Sequence, residues 1–180
     1  MRQYRCLIKS YKISGYVTIR HQLHKMDKEI PKAQAQDVSY ELHTLGWKAF
    51  QELCITITSE ILGQTVQNYL TSKDGGRDGA FSGKWNLEKG GVEGSFTIQC
   101  KYSSNKDNKL KISALTDELN KAEKLAKKGL ADNYIIITNY QITGKADEEI
   151  KKAFESIEGI RNCVVLGAEW ITLKFTRVHD

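Results

Sequence analysis

Asp74-Gly-Gly-Arg77-Asp78-Gly79 and Ser95-Phe-Thr-Ile-Gln99-Cys-Lys101-Tyr102 decide how this chain reads. In the second piece Phe96, Ile98 and Cys100 alternate with Thr97, Gln99 and Lys101. Successive strand side chains point to opposite faces, so the alternation predicts a half-buried strand with Gln99 and Lys101 together on one face. A solvated face is the plain reading of a Gln and a Lys so placed. The first piece changes that reading. Gly75, Gly76 and Gly79 free the backbone for positive φ and for close approach to a ligand, and Asp78 projects beside them. Asp74 reads as a turn residue, since Asp bonds well to its own backbone in such turns.

An Asp, a nearby amide or carbonyl oxygen and a Lys suit metal-dependent phosphodiester cleavage. Carboxylate oxygen is a hard ligand for Mg²⁺, which keeps several waters and shares its shell with phosphate. The ion lowers the pKa of a bound water and polarises the phosphoryl oxygen. Lys101 is placed to orient the water or to stabilise charge building on the phosphate.

Asp78 followed by Gln99-x-Lys101, with a helix before and an αβ tail after, resembles the PD-(D/E)xK nuclease superfamily. Gly76-Arg-Asp78-Gly and Ile98-Gln-Cys-Lys101-Tyr are similar to its Mrr-type (type IV) restriction endonuclease branch, over roughly residues 44 to 172. Each half-motif is weak alone; their order and spacing carry the resemblance. It implies metal-dependent DNA cleavage, with Asp78, Gln99 and Lys101 catalytic and Asp78 and Gln99 holding Mg²⁺ or Mn²⁺. Gln99 is neutral where the wider superfamily has an acid, which leaves the site one carboxylate short. By analogy with Mrr-type domains fused to ATPase or sensor modules, the resemblance further implies an N-terminal effector domain of an antiviral STAND-type ATPase acting on double-stranded DNA. Cutting both strands needs two active sites, which implies a dimer or higher homo-oligomer, and the widely spaced cysteines point to a cytoplasmic protein.

Residues 45 to 63 read as an amphipathic helix. Phe50, Leu53, Cys54, Ile57 and Ile61 form its apolar stripe and Gly63 its stop. Gln51 flanks the stripe and Glu52 points away from it. Mrr-type nucleases often carry a Glu just after an aromatic in this helix, facing the active site. By that resemblance Gln51, after Phe50, ranks ahead of Glu52 as an active-site neighbour. Residues 65 to 71 read as a first strand, 80 to 85 as a second, and 88 to 94 as a loop. Arg77 and the polar run Ser103, Ser104 and Asn105 are candidate DNA contacts; Lys84, Trp85 and Lys89 read equally as surface.

Residues 112 to 129 predict a helix with Leu115, Leu119, Ala122 and Leu125 inward and Lys121, Lys124, Lys127 and Lys128 largely outward. Residues 133 to 139 read as a central buried strand, with Thr138 and Asn139 at its end near the site. A helix over 146 to 157, a buried strand over 162 to 167 and a short helix over 169 to 173, with Trp170 packed on the sheet, complete the order. The fold class is α/β: a restriction-endonuclease-like mixed sheet with helices on both sides.

The chain of 180 residues fits one domain with a sizeable core, and its 40% apolar and 27% charged residues are ordinary for a globular protein. No apolar run approaches the ~20 residues of a membrane span. Cys6, Cys54, Cys100 and Cys163 have neither zinc-site nor disulfide-scaffold spacing and read as reduced. The net charge of +5 permits a nucleic-acid partner without demanding one. Residues 1 to 43 read as a basic extension and linker, the nuclease domain as 44 to 180. The basic stretch 1 to 25 is a leader or added hairpin ahead of a phosphate-touching arm. His179 is not read as catalytic. The competing readings are a nuclease-fold module that binds or assembles without cleaving, kept open by Gln99, and a nuclease for RNA or DNA junctions.

Overall fold

The computed structural model describes residues 40–63, 65–69, 77–87 and 90–177. The basic stretch 1 to 25, the Asp74-Gly75-Gly76 turn, Lys89 and His179 lie outside the described residues.

Among the described residues five strands form one sheet in sequence order: β1 (Gln67–Asn68), β2 (Gly79–Leu87), β3 (Gly90–Lys101), β4 (Asn133–Thr138) and β5 (Asn162–Leu166). The first three run antiparallel, whereas β3, β4 and β5 are parallel. Four α-helices of the described residues accompany them: α1 (Trp47–Leu62), α2 (Thr116–Ala126), α3 (Gly144–Glu155) and α4 (Ala168–Arg177). This is the expected mixed sheet. Its parallel half uses helical crossovers, as parallel neighbours require.

Both faces of the sheet are covered. Phe96, Ile98, Ile135, Ile137 and Leu166 pack on Phe50, Leu53, Cys54 and Ile57 of α1 and Ile171 of α4. On the other face Tyr134, Ile136 and Cys163 meet Leu115, Ala122 and Leu125 from the α2 region and Ile150 and Phe154 of α3. Trp170 packs against the first of these cores, as expected. Cys54, Cys100 and Cys163 are free thiols.

The structure corrects several details. β3 is not half-buried: Thr97 is fully buried and Gln99 is 6% exposed, because β4 pairs with β3 and the α2–α3 layer covers this face. Most of the Gly-rich interval expected as a loop is strand. Gly90 to Gly94 pair with β2, setting Gly94 opposite Gly83, Glu93 opposite Lys84 and Val92 opposite Trp85. Glycine content read as a turn, but Gly94 holds φ 133° where a Cβ would lie 2.6 Å from Asp132 Oδ2. Ile61 is 37% exposed, since full burial along α1 stops at Thr58 and in the last turn Leu62, not Ile61, faces the core. The expected helix 112 to 129 divides into a 3-10 turn at Ile112–Leu115 followed by α2. β5 lies at one edge of the sheet and is only half buried.

Candidate active site

The backbone of Asp78 is fixed on two sides. Its N–H donates to the Ile98 carbonyl at 3.0 Å, and its carbonyl accepts from Tyr69 N at 2.9 Å. Gly79 then starts β2, paired with Ile98 of β3. Gly79 lacks the left-handed φ anticipated for it, and what approaches closely is Ile55 of α1: a Cβ on Gly79 would sit 2.4 Å from Ile55 Cδ1. The glycine therefore lets α1 press against the strand that delivers Asp78.

Asp78 Oδ2 accepts from Gln99 Nε2 at 2.5 Å and from Cys100 N at 2.7 Å. Burial pushes the Asp78 carboxyl above its ordinary value; the Cys100 N–H and the positive Lys121 pull it down, and the negative Glu118 pushes it up. Gln99 spends its amide N–H on Asp78, which leaves Oε1 buried with no hydrogen-bond partner. Lys101, two residues on and on the same face, donates from Nζ to Glu118 Oε1 at 2.8 Å. The structure thus brings Asp78, Gln99 and Lys101 together, with Glu118 of α2 against them. The Cys100 thiol faces away; contact with the Cys54 thiol and burial hold its pKa well up, so it offers no nucleophile.

Gln51 and Glu52 part company. Gln51 is buried and donates from Nε2 to the Tyr69 carbonyl at 3.1 Å, the same residue whose N–H meets Asp78. It supports Asp78 at one remove. Glu52 is half-buried on α1. The Arg77 guanidinium lies 4.7 Å over the Tyr69 ring. Ser103 is buried and fully engaged: its N–H donates to Asn139 Oδ1, its carbonyl accepts from Asn139 Nδ2, and its hydroxyl bridges Asn105 and Asn108. Ser103 therefore anchors the loop that exposes Ser104 and Asn105. Thr138 accepts no exposed role either; its hydroxyl donates to the Lys101 carbonyl at 2.7 Å.

Sequence reading missed Glu118 and placed Lys121 outward. Glu118 is buried and Lys121 half-buried. The signal was available: Glu118 falls on the stripe Leu115, Ala122, Leu125, three residues after the first and four before the second. An acid on a buried stripe requires a partner, and Lys101 is it.

Hard oxygens suit a divalent cation here. The orphaned Gln99 Oε1 beside the Asp78 carboxylate is an acceptor that water or a metal ion would satisfy, and buried acceptors are rarely left unmet. Among the described residues no group of three His, Cys, Asp or Glu side chains forms a ready metal cluster. No helix among them is long and apolar enough to cross a membrane.

A family model described as Mrr_cat, restriction endonuclease, matches residues 42–161. No curated protein matches the chain. Among solved structures, the DNA modification-dependent restriction endonuclease AspBHI aligns at TM-score 0.52 and 13% identity, over 100% of this chain and 41% of its own. MspJI restriction endonuclease, in complex with a 27-mer oligonucleotide, aligns at TM-score 0.45 and 13% identity over 98% of this chain and 36% of its own. The chain thus spans less than half the length of either, and at this identity the AspBHI likeness shows the fold alone.

Proposed function

The chain belongs to the Mrr_cat restriction endonuclease family, and from that premise we propose that this nuclease domain hydrolyses DNA phosphodiesters with Mg²⁺ or Mn²⁺, using Asp78, Gln99 and Lys101. The observation that carries the reading is the unpartnered Gln99 Oε1, buried next to Asp78 on the face that also presents Lys101.

In this reading Asp78 and Gln99 Oε1 hold the cation. When bound, the ion supplies an activated water and neutralises phosphate charge. Cys100 N–H fixes Asp78 Oδ2, so the carboxylate keeps its orientation without reorganising. The Lys101 ammonium, held at its root by Thr138 and at its tip by Glu118, steadies the growing charge on the phosphate as water bonds to phosphorus and the P–O bond to the leaving sugar breaks. Ser104 and Asn105, exposed just past Lys101, contact the DNA backbone in this reading, with Arg77 a further contact. We further infer double-stranded DNA as substrate and a homo-oligomer, since cutting a duplex needs two sites. We place the domain as the effector of a longer, sensor-bearing defence protein, a reading that rests on analogy with other Mrr-type domains.

Plasmid cleavage in Mg²⁺ or Mn²⁺ tests the core of this. Cutting is expected with metal, to cease in EDTA, and to fall by about 10²-fold or more in Lys101→Ala. Metal-independent cutting, or cutting that ignores Lys101, would sink the assignment. One observation favours a second reading, a module that binds without cleaving: Lys101 is already occupied by Glu118. That reading predicts duplex binding with no nicking in any divalent metal.

A further inference from the structure

Glu118 takes no part in the chemistry above beyond touching Lys101, yet among the described residues it is the acid that the core buries, its side chain 8% exposed. A carboxylate withdrawn from water is costly unless both oxygens are satisfied. Lys101 satisfies Oε1; Oε2 is buried with no hydrogen-bond partner. Gln99 Oε1 is unpartnered too, and so is the buried Tyr134 hydroxyl from the neighbouring strand β4. Such atoms are scarce in a folded protein, and these three lie on the one α2–α3 face of the sheet.

Charge gives the second argument. Asp78 and Glu118 bring two negative charges, and Lys101 and Lys121 two positive ones: Lys101 pairs with Glu118, and both Glu118 and Lys121 act on Asp78. A carboxylate at position 99 would add a third negative charge to a covered site. The neutral Gln99 and the buried Glu118 are then two halves of one arrangement, in which the second acid is carried by α2 instead of β3.

We propose that Glu118 supplies the second carboxylate of the divalent-cation site, presenting Oε2 to the ion while Oε1 holds Lys101. This rests on the metal-dependent reading above. The same side chain then couples cation binding to the placement of Lys101.

Mn²⁺ uptake by the whole chain, measured by calorimetry in the absence of DNA, tests it without any turnover. Asp78→Asn is expected to abolish binding. Glu118→Gln should weaken it by about tenfold or more, and Glu118→Asp, which keeps the charge but withdraws the oxygens, by several-fold. Adding Gln99→Glu to Glu118→Gln should bring affinity back within about threefold of the wild type, because the pair couples through one ion. Circular dichroism checks each fold, and Glu118→Asp decides if Glu118→Gln does not fold. If both Glu118 variants bind Mn²⁺ like the wild type while Asp78→Asn does not, the inference fails and the nuclease reading stands. If the Gln99→Glu double variant recovers nothing, Glu118 serves Lys101 alone and the inference fails. If the wild type takes up no Mn²⁺, or Asp78→Asn binds as well, both fail.

Discussion

Gly79 has no side chain because Ile55 occupies the space where one would begin, 2.4 Å from an ideal Cβ. Gly79→Ala is expected to cost about 1–3 kcal/mol through overpacking and to displace the adjacent Asp78. Ile55→Val in the same chain removes the offending Cδ1 and should recover most of that loss. Urea melts of the single and double variants check it, and a double variant no more stable than Gly79→Ala would refute the contact as cause. At this scale the sequence was legible where residue type carries chemistry. Asp78, Gln99 and Lys101 stand out as candidates because strand periodicity and the glycine-flanked acid are local signals, and the structure bonds Gln99 to Asp78. Glu118 was passed over because its importance depends on α2 docking beside Lys101, a contact that crosses the sheet face. Its position on an apolar stripe was the trace this left in sequence.

Two polar clamps hold the elements in register at opposite ends of the parallel strands. Past the C-terminal end of β4, Asn139 accepts from Ser103 N and donates to Ser103 O, both at 2.7 Å and both buried, which ties the loop after β3 to β4. Asn139→Ala is expected to destabilise by about 2–3 kcal/mol, two buried partners being left unmet. It should also depress cleavage, because the loop begins one residue beyond Tyr102. Chemical denaturation and the plasmid assay read the two effects separately. At the other end Asp132 Oδ2 accepts from Ser95 N at 2.8 Å and from Ser95 Oγ at 2.9 Å, with Arg161 at 3.4 Å. The Ser95 N–H first, then its hydroxyl and Arg161, hold the Asp132 carboxyl below its ordinary value. A depressed acid binds fewer protons folded than unfolded. Its contribution is therefore complete above the ordinary carboxylate range and fades as pH falls through the lowered value. Asp132→Asn should flatten the acid limb of the stability–pH curve and leave its slope near pH 7 unchanged; an unchanged acid limb would contradict this. Helices and strands were legible at this scale from periodicity, with α1, β4 and α3 close to expectation. The extension of β3 back to Gly90 was not, because glycines that serve a twisted hairpin and glycines that serve a loop look alike without a partner strand.

The whole molecule sets how DNA would be held. The chain carries a net charge of +5, and affinity built on phosphate contacts falls with salt. Binding to a random duplex is expected to drop by at least about tenfold between ~50 and ~200 mM salt. Fluorescence anisotropy checks it, and salt-independent binding would point to base readout instead. The mixed sheet with helices on both faces followed from the order ββ then αβαβ, because parallel strands need helical crossovers. What that order did not show is that β3 sits in the middle of the sheet. Central placement turns a face expected to meet water into one that buries Gln99 and leaves only part of Lys101 accessible.

The hairpin of β2 and β3 brings Asp78 beside Gln99, and α2 follows directly after with Glu118. The site is thus gathered from one continuous run of chain, ending before β4 begins. Short closures form quickly, while the β4–β5 pairing waits on longer ones. Folding kinetics should record the difference. A truncation in the hairpin, Phe96→Ala, is expected to slow folding, and one in the β5 edge, Leu166→Ala, mainly to speed unfolding. Stopped-flow chevrons would show the reverse if the parallel half nucleates first. In the expected order, the site takes shape early and its far edge closes last.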